Sequence, residues 1–555
     1  MAETLVFRQL SSLAKVFLDD DPQRCPEVSA IAALKGERVS WQILYTGTCS
    51  EARKTPVSFA VQKDARISLK FYTVGNVPCM LPCPYDAKEE NNYLRTKAGL
   101  FPDILYPLQE NQFYLVAENC HSLFITATVP QDLEPGDYPI TLTFTVGEEN
   151  TVVAKKTFTV TVLDGVLPPQ ETIFTQWFHG DCIATYYGME ILSEAHWAMI
   201  EKFIAMAAHT GINMLLTPIV TLPLDTKVGT ERPTLQLMDV ELNETGYHFG
   251  FEKLARWIEL CQKYGIHRFE ICHLFTQWGT GCTPKIVVRT KNGEEKLFGW
   301  HVKSDSQQYQ DFLDACIPAL TEFLKEKGVY ENTYFHISDE PQWEKNLDVY
   351  KQQRKMVENL IPADKLIEAC SNWEFLEHGI IKRPVCVTNK VDSFFERGHT
   401  DIWAYYCCKP YDRNYGNRFI AMPNGRNRIN GFQLYKYGIE GFLHWGYNFY
   451  YSVLSKRPIN PFYETDGDEA FPSGDPFSVY PGPEGPLESL RTVVFYEGLQ
   501  DIRACKLLES LVGREAVLQL VNQEGEIKFN EYPSTDEGIL AIRQRINDRL
   551  AQELK

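Results

Sequence analysis

Three features are missing from this sequence, and each absence excludes a class of function. No stretch of about 18 apolar residues occurs, so we expect no membrane-spanning helix. The formal net charge is -18, whereas a nucleic-acid surface needs clustered Lys and Arg. No run of five or more like charges occurs, so a basic arm or an acidic tail is not expected either. We therefore expect neither a nucleic-acid nor a membrane partner.

Cysteine is abundant, but the spacing of a metal site is lacking. The chain has 15 cysteines, and Cys79 and Cys83 are not followed by a second pair of Cys or His. Cys407 and Cys408 are adjacent in an apolar, aromatic run. We interpret most of these cysteines as reduced, buried thiols. Such thiols fit a protein in a reducing compartment. Scattered histidines at strand ends stay open as metal ligands, but no spacing supports them. We expect no metal and no cofactor.

We also expect no signal peptide at the amino terminus. Between Met1 and Phe17, Arg8 and Lys15 interrupt the apolar residues. The expected location is therefore cytoplasmic.

Aromatic residues are the feature present in excess. Phe, Trp and Tyr make up 13% of the chain, with 28 Tyr and 10 Trp. Large aromatic cores are one explanation. A cleft that stacks ring faces against sugars or bases is the other.

Residues 1–168 read as a β-sandwich. Short segments alternate between apolar and polar side chains, and turn residues such as Glu134–Asp137 separate them. The clearest are Val39–Tyr45, Val57–Val61, Ile67–Phe71, Tyr138–Val146 and Thr157–Val162. Leu167–Pro169 then forms a stiff linker.

From residue 169 to residue 515, strands alternate with amphipathic helices, which predicts a (β/α)8 TIM-type barrel. The eight candidate strands are Ile173–Phe178, Ile212–Leu216, Arg268–His273, the segment from Thr333, Leu366–Cys370, Val385–Val387, Ile402–Tyr406 and Gly441–Trp445. The helical segments are Trp197–Ala207, Phe251–Tyr264, Gln308–Lys325, Leu347–Leu360 and Leu487–Leu511. A doubly wound open sheet is the alternative, although its Gly-rich phosphate turn is missing. Residues 516–555 are predicted to be an appendage packed on the barrel.

The strand that begins at Thr333 leads into two neighbouring acids, Asp339 and Glu340, ahead of the breaker Pro341. The carboxyl ends of barrel strands carry the chemistry, so this pair is our candidate catalytic site. Two acids there suggest general acid chemistry on a neutral, hydroxyl-rich substrate. The alternative is structural: Asp339 caps the next helix and Glu340 is a solvated residue of its first turn.

Other predicted strand ends are rich in Trp, Tyr, His and Asn. Each such residue, taken singly, is more often packed core than a ligand contact. Together they describe a sugar cleft, in which rings stack on the sugar face and polar groups bind its hydroxyls. The candidate substrate-binding residues are His179, Asp181, His273, Gln277, Trp278, Trp403, Tyr405, Trp445, Tyr447 and Asn448. The segments Thr226–Tyr247 and Thr283–Trp300 are expected to be loops that cover this cleft.

The adjacency of the two acids constrains the mechanism. Retaining glycosidases ordinarily use carboxyls about 5 Å apart on either side of the anomeric carbon. Consecutive residues of an extended strand point to opposite sides and are poorly placed for this without a bend. One acid can instead protonate the leaving oxygen while its neighbour orients a 2-acetamido group, whose carbonyl oxygen attacks the anomeric carbon.

Several segments of the chain resemble glycoside hydrolase family 123, the β-N-acetylgalactosaminidases, and the wider uncharacterised set that shares their carboxyl-terminal region. The matching segments are Phe174–Asp181, Ser338–Pro341, Gly441–Asn448, Gly474–Gly482, Ser489–Arg491 and Glu497–Asp501, with a weaker match at Leu100–Pro107. The family implies a β-sandwich followed by a (β/α)8 barrel, in agreement with the pattern.

The resemblance also implies a function. It predicts a retaining exo-glycosidase that releases terminal β-linked N-acetylgalactosamine by substrate-assisted catalysis through an oxazolinium-type intermediate. Glu340 would be the general acid/base and Asp339 the acetamido-orienting group. The substrate would be an oligosaccharide or a glycoconjugate. Two alternatives stay open: a glycosidase on the same scaffold acting on another hexosamine or hexoside, and a non-catalytic carbohydrate-binding protein. The sequence does not indicate the linkage cleaved or the oligomeric state.

Overall fold

The structure, a computed structural model, describes residues 5–48, 54–84 and 92–555. The chain forms two compact units that are interleaved in sequence. Unit 1 comprises Met1–Glu171, Tyr411–Tyr437 and Leu487–Lys555, and unit 2 comprises Thr172–Pro410 and Gly438–Pro486. The sequence predicted three domains, each continuous in the chain, with boundaries after residues 168 and 515. These boundaries stay a prediction.

Unit 1 contains two five-stranded sheets that share one hydrophobic core. Their strands are β1 (Leu5–Ser11), β2 (Ala30–Lys35), β3 (Arg38–Gly47), β4 (Lys54–Gln62), β5 (Ser68–Cys79), β6 (Gly99–Pro107), β7 (Gln112–Val116), β8 (His121–Thr128), β9 (Gly136–Val146) and β10 (Thr151–Val166). The orders are β1-β3-β8-β5-β6 and β2-β10-β9-β4-β7, and only the β2–β10 pair is parallel among the described pairs of these sheets. Trp41 of one sheet stacks on Phe158 of the other, with ring centroids 4.4 Å apart. The alternation in the sequence therefore places one face of each sheet in a common core.

Unit 2 is built on a sheet of eight parallel strands. They are β11 (Ile173–Gln176), β12 (Met214–Thr217), β15 (Arg268–Ile271), β18 (Thr333–Phe335), β19 (Glu368–Ala369), β20 (Pro384–Val387), β21 (Trp403–Tyr405) and β22 (Gly441–His444). The order is β18-β15-β12-β11-β22-β21-β20-β19. A parallel bridge from Phe335 to Leu366 links the two outer strands, and the Ile367 N–H donates to the Phe335 carbonyl at 3.1 Å. The sheet is therefore curled, and each of the eight predicted strands overlaps one of its members.

Five of the twelve described α-helices overlap the five predicted amphipathic segments. Those of unit 2 are α1 (Gly180–Tyr187), α2 (Glu194–His209), α3 (Glu252–Lys263), α4 (Gln307–Glu326), α5 (Trp343–Val357), α6 (Glu374–Glu377) and α7 (Val391–Phe395). Those of unit 1 are α8 (Gly425–Arg428), α9 (Asn430–Tyr437), α10 (Leu490–Val512), α11 (Arg514–Val521) and α12 (Asp536–Glu553). Within the described part of the chain, none of them has the length and apolar character that a bilayer crossing requires.

The two segments expected to be loops contain strands instead, so that expectation was wrong. The strands β13 (Asp239–Asn243), β14 (Gly246–Gly250), β16 (Ile286–Thr290) and β17 (Gly293–Phe298) form a four-stranded sheet in the order β14-β13-β16-β17. A short pair, β23 (Tyr480–Gly482) and β24 (Gly485–Leu487), completes the described strands. The polar residues in these segments are compatible with strands because much of each strand is partly or fully exposed.

A buried ionic cluster holds unit 1 together. Arg428 of α8 donates to Glu497 at 2.8 Å and to Asp501 at 2.9 Å, both on α10. Arg543 of α12 donates to Asp501 at 2.8 Å and to Glu37, next to β2, at 2.7 Å. All five side chains are buried. Since a buried charge is tolerated only when it is paired, the cluster ties α12 to the rest of this unit.

Candidate active site

A cleft opens at the carboxyl ends of the parallel strands of unit 2. Its lining comes from residues that end or follow β11, β18, β19, β21 and β22, and from the segments around Asp225, Trp278 and Phe471. The lining residues are Trp177, His179, Leu224, Asp225, Trp278, Asp339, Glu340, Ala369, Tyr405, Cys407, Cys408, Leu443, Trp445 and Phe471. Most of the lining therefore comes from strand ends, and the rest comes from irregular segments.

The segment after β18 bends so that both candidate acids line the same cleft. Glu340 has a φ of +45°, in the left-handed region that non-glycine residues seldom adopt. The Trp278 N–H donates to the Asp339 carbonyl at 3.1 Å and fixes the bend from one side. Helix α5 begins only at Trp343, with Gln342 as its N-cap. Asp339 therefore does not cap this helix, and the structural alternative for the pair is wrong.

Burial raises the pKa of both acids. Asp339 is 9% exposed, and its pKa lies well above the usual range because of burial, then the Glu340 charge and then the Asp225 charge. Burial also raises the pKa of Glu340, while the Tyr405 O–H, which donates to Glu340 Oε1 at 2.7 Å, opposes the rise. Two neighbouring carboxyls that are both buried hold a proton more readily than either would in water.

Asp225 is a third carboxyl in the cleft that the sequence did not reveal. Its φ is +40°, the Leu454 N–H donates to its Oδ2 at 2.9 Å, and the Ser455 hydroxyl donates to its carbonyl at 2.6 Å. Burial raises its pKa to about 6. No strand end or motif marks this position in the sequence, because two irregular loops that are distant in the chain hold it in place.

A fourth carboxyl, Glu368, lies behind the acids and is fully buried. The backbone N–H of Ile337 donates to it, which anchors the chain shortly before Asp339. Burial raises the pKa of Glu368 well above its usual range, and the charge of Asp339 acts in the same direction. Glu368 is thus a positioning residue that the sequence did not reveal either.

Five Trp, Tyr and Phe rings line the cleft: Trp177, Trp278, Tyr405, Trp445 and Phe471. Trp278 is 42% exposed and sits on a tight turn with a φ of +53°. The Trp445 indole N–H donates to Asp475 at 2.9 Å, which fixes its orientation. Exposed and half-exposed indole faces beside carboxyls are suited to binding a sugar ring.

Beneath Trp177 lies a fully buried polar layer. Glu270 accepts from the Trp177 indole at 2.7 Å and from the Thr175 hydroxyl at 2.7 Å, and it contacts His336 Nε2 at 2.5 Å. The predicted binding residue His273 stacks on His336, with centroids 4.3 Å apart, and does not line the cleft. Burial, together with His336, lowers the pKa of His273 and keeps it neutral.

His179 lines the cleft, whereas Asp181 lies behind it. His179 Nε2 donates to the Trp445 carbonyl at 3.0 Å, and its Nδ1 accepts from Arg232 at 3.1 Å. Burial, with Arg232 nearby, lowers the pKa of His179 to about 3. Arg232 also makes two hydrogen bonds to Asp181, at 2.8 and 2.7 Å. Asp181 therefore holds the arginine that orients His179.

One group of at least three potential metal ligands occurs among the described residues: His179, Asp181 and Cys182. Arg232 donates to all three, reaching the Cys182 sulfur at 3.6 Å. The Arg232 guanidinium therefore supplies the positive charge beside these three side chains.

Four other predicted residues are buried away from the cleft lining. Gln277 donates to the Thr226 carbonyl at 3.1 Å, and Tyr447 donates to the Phe203 carbonyl at 2.9 Å. Asn448 accepts from the His179 backbone N–H at 2.8 Å, so it supports a lining residue. Trp403, at the start of β21, packs edge-on against Tyr334. The predicted covering segments Thr226–Tyr247 and Thr283–Trp300 do not line the cleft either.

The comparisons with known proteins indicate one family. The model of the glycoside hydrolase 123 catalytic domain matches residues 177–508. A family 123 glycoside hydrolase from Clostridium perfringens, whose structural study concerns glycolipid glycan hydrolysis, is similar over 99% of this chain and 98% of its own, with a TM-score of 0.73 and 17% identity. A β-glucuronidase from Bacteroides uniformis covers 85% of this chain and 48% of its own, at 11% identity and a TM-score of 0.28, too low to carry an argument. The search of curated proteins found no match.

The matched family segment spans more than half of the chain and includes all the lining residues. The likeness to the Clostridium enzyme supports the same fold over nearly the whole length. Because the family consists of hydrolases, the alternative of a non-catalytic carbohydrate-binding protein is set aside. The chain belongs to glycoside hydrolase family 123.

Proposed function

We propose that the protein is a retaining exo-glycosidase that releases terminal β-linked N-acetylgalactosamine by substrate-assisted catalysis. The observation that carries this proposal is the placement of two neighbouring carboxyls, Asp339 and Glu340, in one aromatic-walled cleft. Side chains of adjacent residues are badly placed to act from opposite sides of an anomeric carbon, but they can divide the tasks on one side of it.

In the first step, Glu340 donates its proton to the glycosidic oxygen. Its raised pKa supports this role, because the acid must be protonated near neutral pH. The carbonyl oxygen of the 2-acetamido group attacks the anomeric carbon as the leaving group departs, which forms an oxazolinium ion. Asp339 accepts a hydrogen bond from the acetamido N–H and offsets the positive charge that develops on the new ring.

In the second step, Glu340, now a carboxylate, removes a proton from a water molecule that opens the oxazolinium ring. Two displacements at one carbon give net retention of configuration. The pKa of Asp339 is raised in the protein without bound substrate. A donated N–H and a neighbouring cation both favour the carboxylate, so substrate binding is expected to lower this pKa.

The lining of the cleft favours a neutral sugar. Three carboxyls face it, and among the described lining residues there is no Lys or Arg. The nearby Arg232 is paired with Asp181. The glycolipid glycan of the Clostridium relative is a compatible substrate class, and a terminal hexosamine of a glycolipid or an oligosaccharide is the substrate proposed here.

The decisive experiment compares chromogenic β-glycosides of N-acetylgalactosamine, N-acetylglucosamine and galactose. The proposal expects turnover of the first and none of the last, because galactose lacks the acetamido group.

Glu340→Gln should lose about a thousandfold in kcat on a poor leaving group and much less on an activated one, as expected for a missing general acid. Asp339→Asn should slow the reaction for both kinds of leaving group. Full activity of either variant on a poor leaving group would refute its assigned role.

Asp225 supports one alternative, a hexosidase that needs no acetamido group. Its carboxyl lines the same cleft and could act as a direct nucleophile in an ordinary two-carboxylate mechanism. In that case β-galactoside would be hydrolysed, and Asp225→Asn would be inactive and rescued by azide. An active Asp225→Asn variant without azide rescue would exclude this alternative.

We also propose that the curled sheet closes as a (β/α)8 TIM-type barrel. The bridge between Phe335 and Leu366 supports closure, since it joins the two strands at the ends of the sheet order. The position of the cleft at the carboxyl ends of the strands is the position that such barrels use.

A further inference from the structure

We propose that Cys407 and Cys408 form a binding site for a thiophilic divalent ion of the zinc–cadmium class, and that occupancy of this site inhibits the enzyme. Both thiols line the catalytic cleft, and both residues are half-buried. They are adjacent in sequence and are not joined by a disulfide. The proposed glycosidase mechanism does not use them.

The separation of the sulfurs fits one tetrahedral ion. The two Sγ atoms are 3.8 Å apart. Two thiolates at about 2.3 Å from a tetrahedral zinc-type ion lie about 3.8 Å from each other. Neighbouring side chains of an extended strand point to opposite faces. Here β21 has ended at Tyr405, and the Cys407 N–H donates to the Lys409 carbonyl at 2.9 Å in a tight turn that follows.

Binding is written as M²⁺ + 2 RSH → M(SR)2 + 2 H⁺, so it involves no change of oxidation state. The ion would take its remaining ligands from water.

The position of the pair links the ion to catalysis. Tyr405, two residues before Cys407, donates the hydrogen bond to Glu340. A bound dication would stabilise the Glu340 carboxylate and so withdraw the proton that the glycosidic oxygen needs. It would also occupy space at the wall of the cleft. Both effects predict loss of turnover when the site is filled.

The test is a titration of the full-length protein with Cd²⁺, in chelator-free buffer with a phosphine reductant. We expect a sulfur-to-cadmium charge-transfer band that saturates at one ion per chain, with loss of glycosidase activity in parallel. Cys407→Ser and Cys408→Ser should each weaken Cd²⁺ binding by a hundredfold or more. Cys282→Ser is the matched control, because Cys282 is equally half-buried but does not line the cleft. It should bind Cd²⁺ as the wild type does.

A second measurement needs no variant. An aryl arsenoxide condenses with two thiols, RAs=O + 2 R′SH → RAs(SR′)2 + H2O, and should consume two thiols per reagent. Peptide mapping should locate the bridge at Cys407 and Cys408, and a small dithiol should restore activity. Unchanged Cd²⁺ binding in both serine variants, an arsenical bridge elsewhere, or Cd²⁺ bound at this pair without loss of turnover would each overturn the proposal. The Cd²⁺ band is read without substrate, so it stands apart from any failure of the proposed glycosidase activity.

Discussion

At the scale of single residues, the cleft depends on strained backbone. Five non-glycine residues in or beside it have positive φ: Asp225, Trp278, Glu340, Leu454 and Ser455. Each such conformation costs on the order of 1 kcal/mol or more, and such residues cluster at functional sites. Three of the five line the cleft, and the other two hold Asp225 through hydrogen bonds. Seven other described non-glycine residues also have a positive φ, so the cleft carries part of the backbone strain of the chain.

Tyr405→Phe should shift the high-pH limb of the activity profile upward. The Tyr405 hydroxyl stabilises the Glu340 carboxylate and lowers its pKa. Without it the pKa rises, so the protonated acid persists to higher pH. The rate at the optimum should fall by about tenfold, because the acid is less well positioned. A pH profile of kcat/KM measures the shift, and a downward shift would contradict the assignment of Glu340.

Asp225→Asn should shift the low-pH limb downward. The Asp225 charge contributes to the raised pKa of Asp339, and Asp225 itself titrates at a pKa of about 6. Removing this charge lowers the pKa of Asp339, whose carboxylate form is the one proposed to be active. The same pH profile reports the result. If the low-pH limb moved upward, Asp339 would not be the group that must ionise.

At the scale of elements, the eight parallel strands could be predicted because buried strands are continuous apolar runs between breakers. The segments Asp239–Gly250 and Ile286–Phe298 could not, since their strands are partly exposed and their polar residues resemble loop sequence. The turn that carries Trp278 was identified as a loop at a strand end, but its backbone conformation was not. That turn is held by Asn346 of α5, which donates to the Trp278 carbonyl at 3.2 Å.

Gly279→Ala should disturb this turn more than Gly281→Ala does. Both glycines have a φ near +70°, so alanine costs about 1 kcal/mol of conformational strain at either position. Only at Gly279 would the new Cβ also collide with the Asn346 side chain, whereas open space surrounds Gly281. Gly279→Ala should therefore lower the melting temperature further and raise KM severalfold by displacing Trp278. Equal melting temperatures and equal KM values for the two variants would show that the Asn346 contact does not hold the turn.

At the scale of the whole molecule, sequence order and spatial grouping differ. Residues 411–437 and 487–555 group with the amino-terminal sheets rather than with the strands that precede them. The carboxyl-terminal segment, predicted as an appendage on the barrel, contributes Arg543 to the buried ionic cluster of unit 1. Arg543 and Glu37 form an ion pair although they are 506 residues apart in the sequence. No local sequence pattern predicts a pair at such a separation.

Arg543→Ala should destabilise the protein by about 3–5 kcal/mol, because Glu37 and Asp501 would each lose a buried partner. Arg549→Ala is the matched control on the same helix. Its pair with Glu553 is exposed and four residues apart, so the loss should be about 0.5 kcal/mol or less. Denaturant unfolding measures both variants, and similar values for the two would show that the cluster does not stabilise the fold.

The sequence by itself determined the eight parallel strands, five of the helices and the two neighbouring acids, because burial patterns and the breaker Pro341 are local signals. Tertiary structure alone decided which residues meet in the cleft. Asp225 and the Cys407–Cys408 pair enter it, while His273, Trp403 and Tyr447 are enclosed beneath or beside it. The physical reason is that a strand end specifies where a side chain begins, whereas strained loops and long-range hydrogen bonds specify where it points.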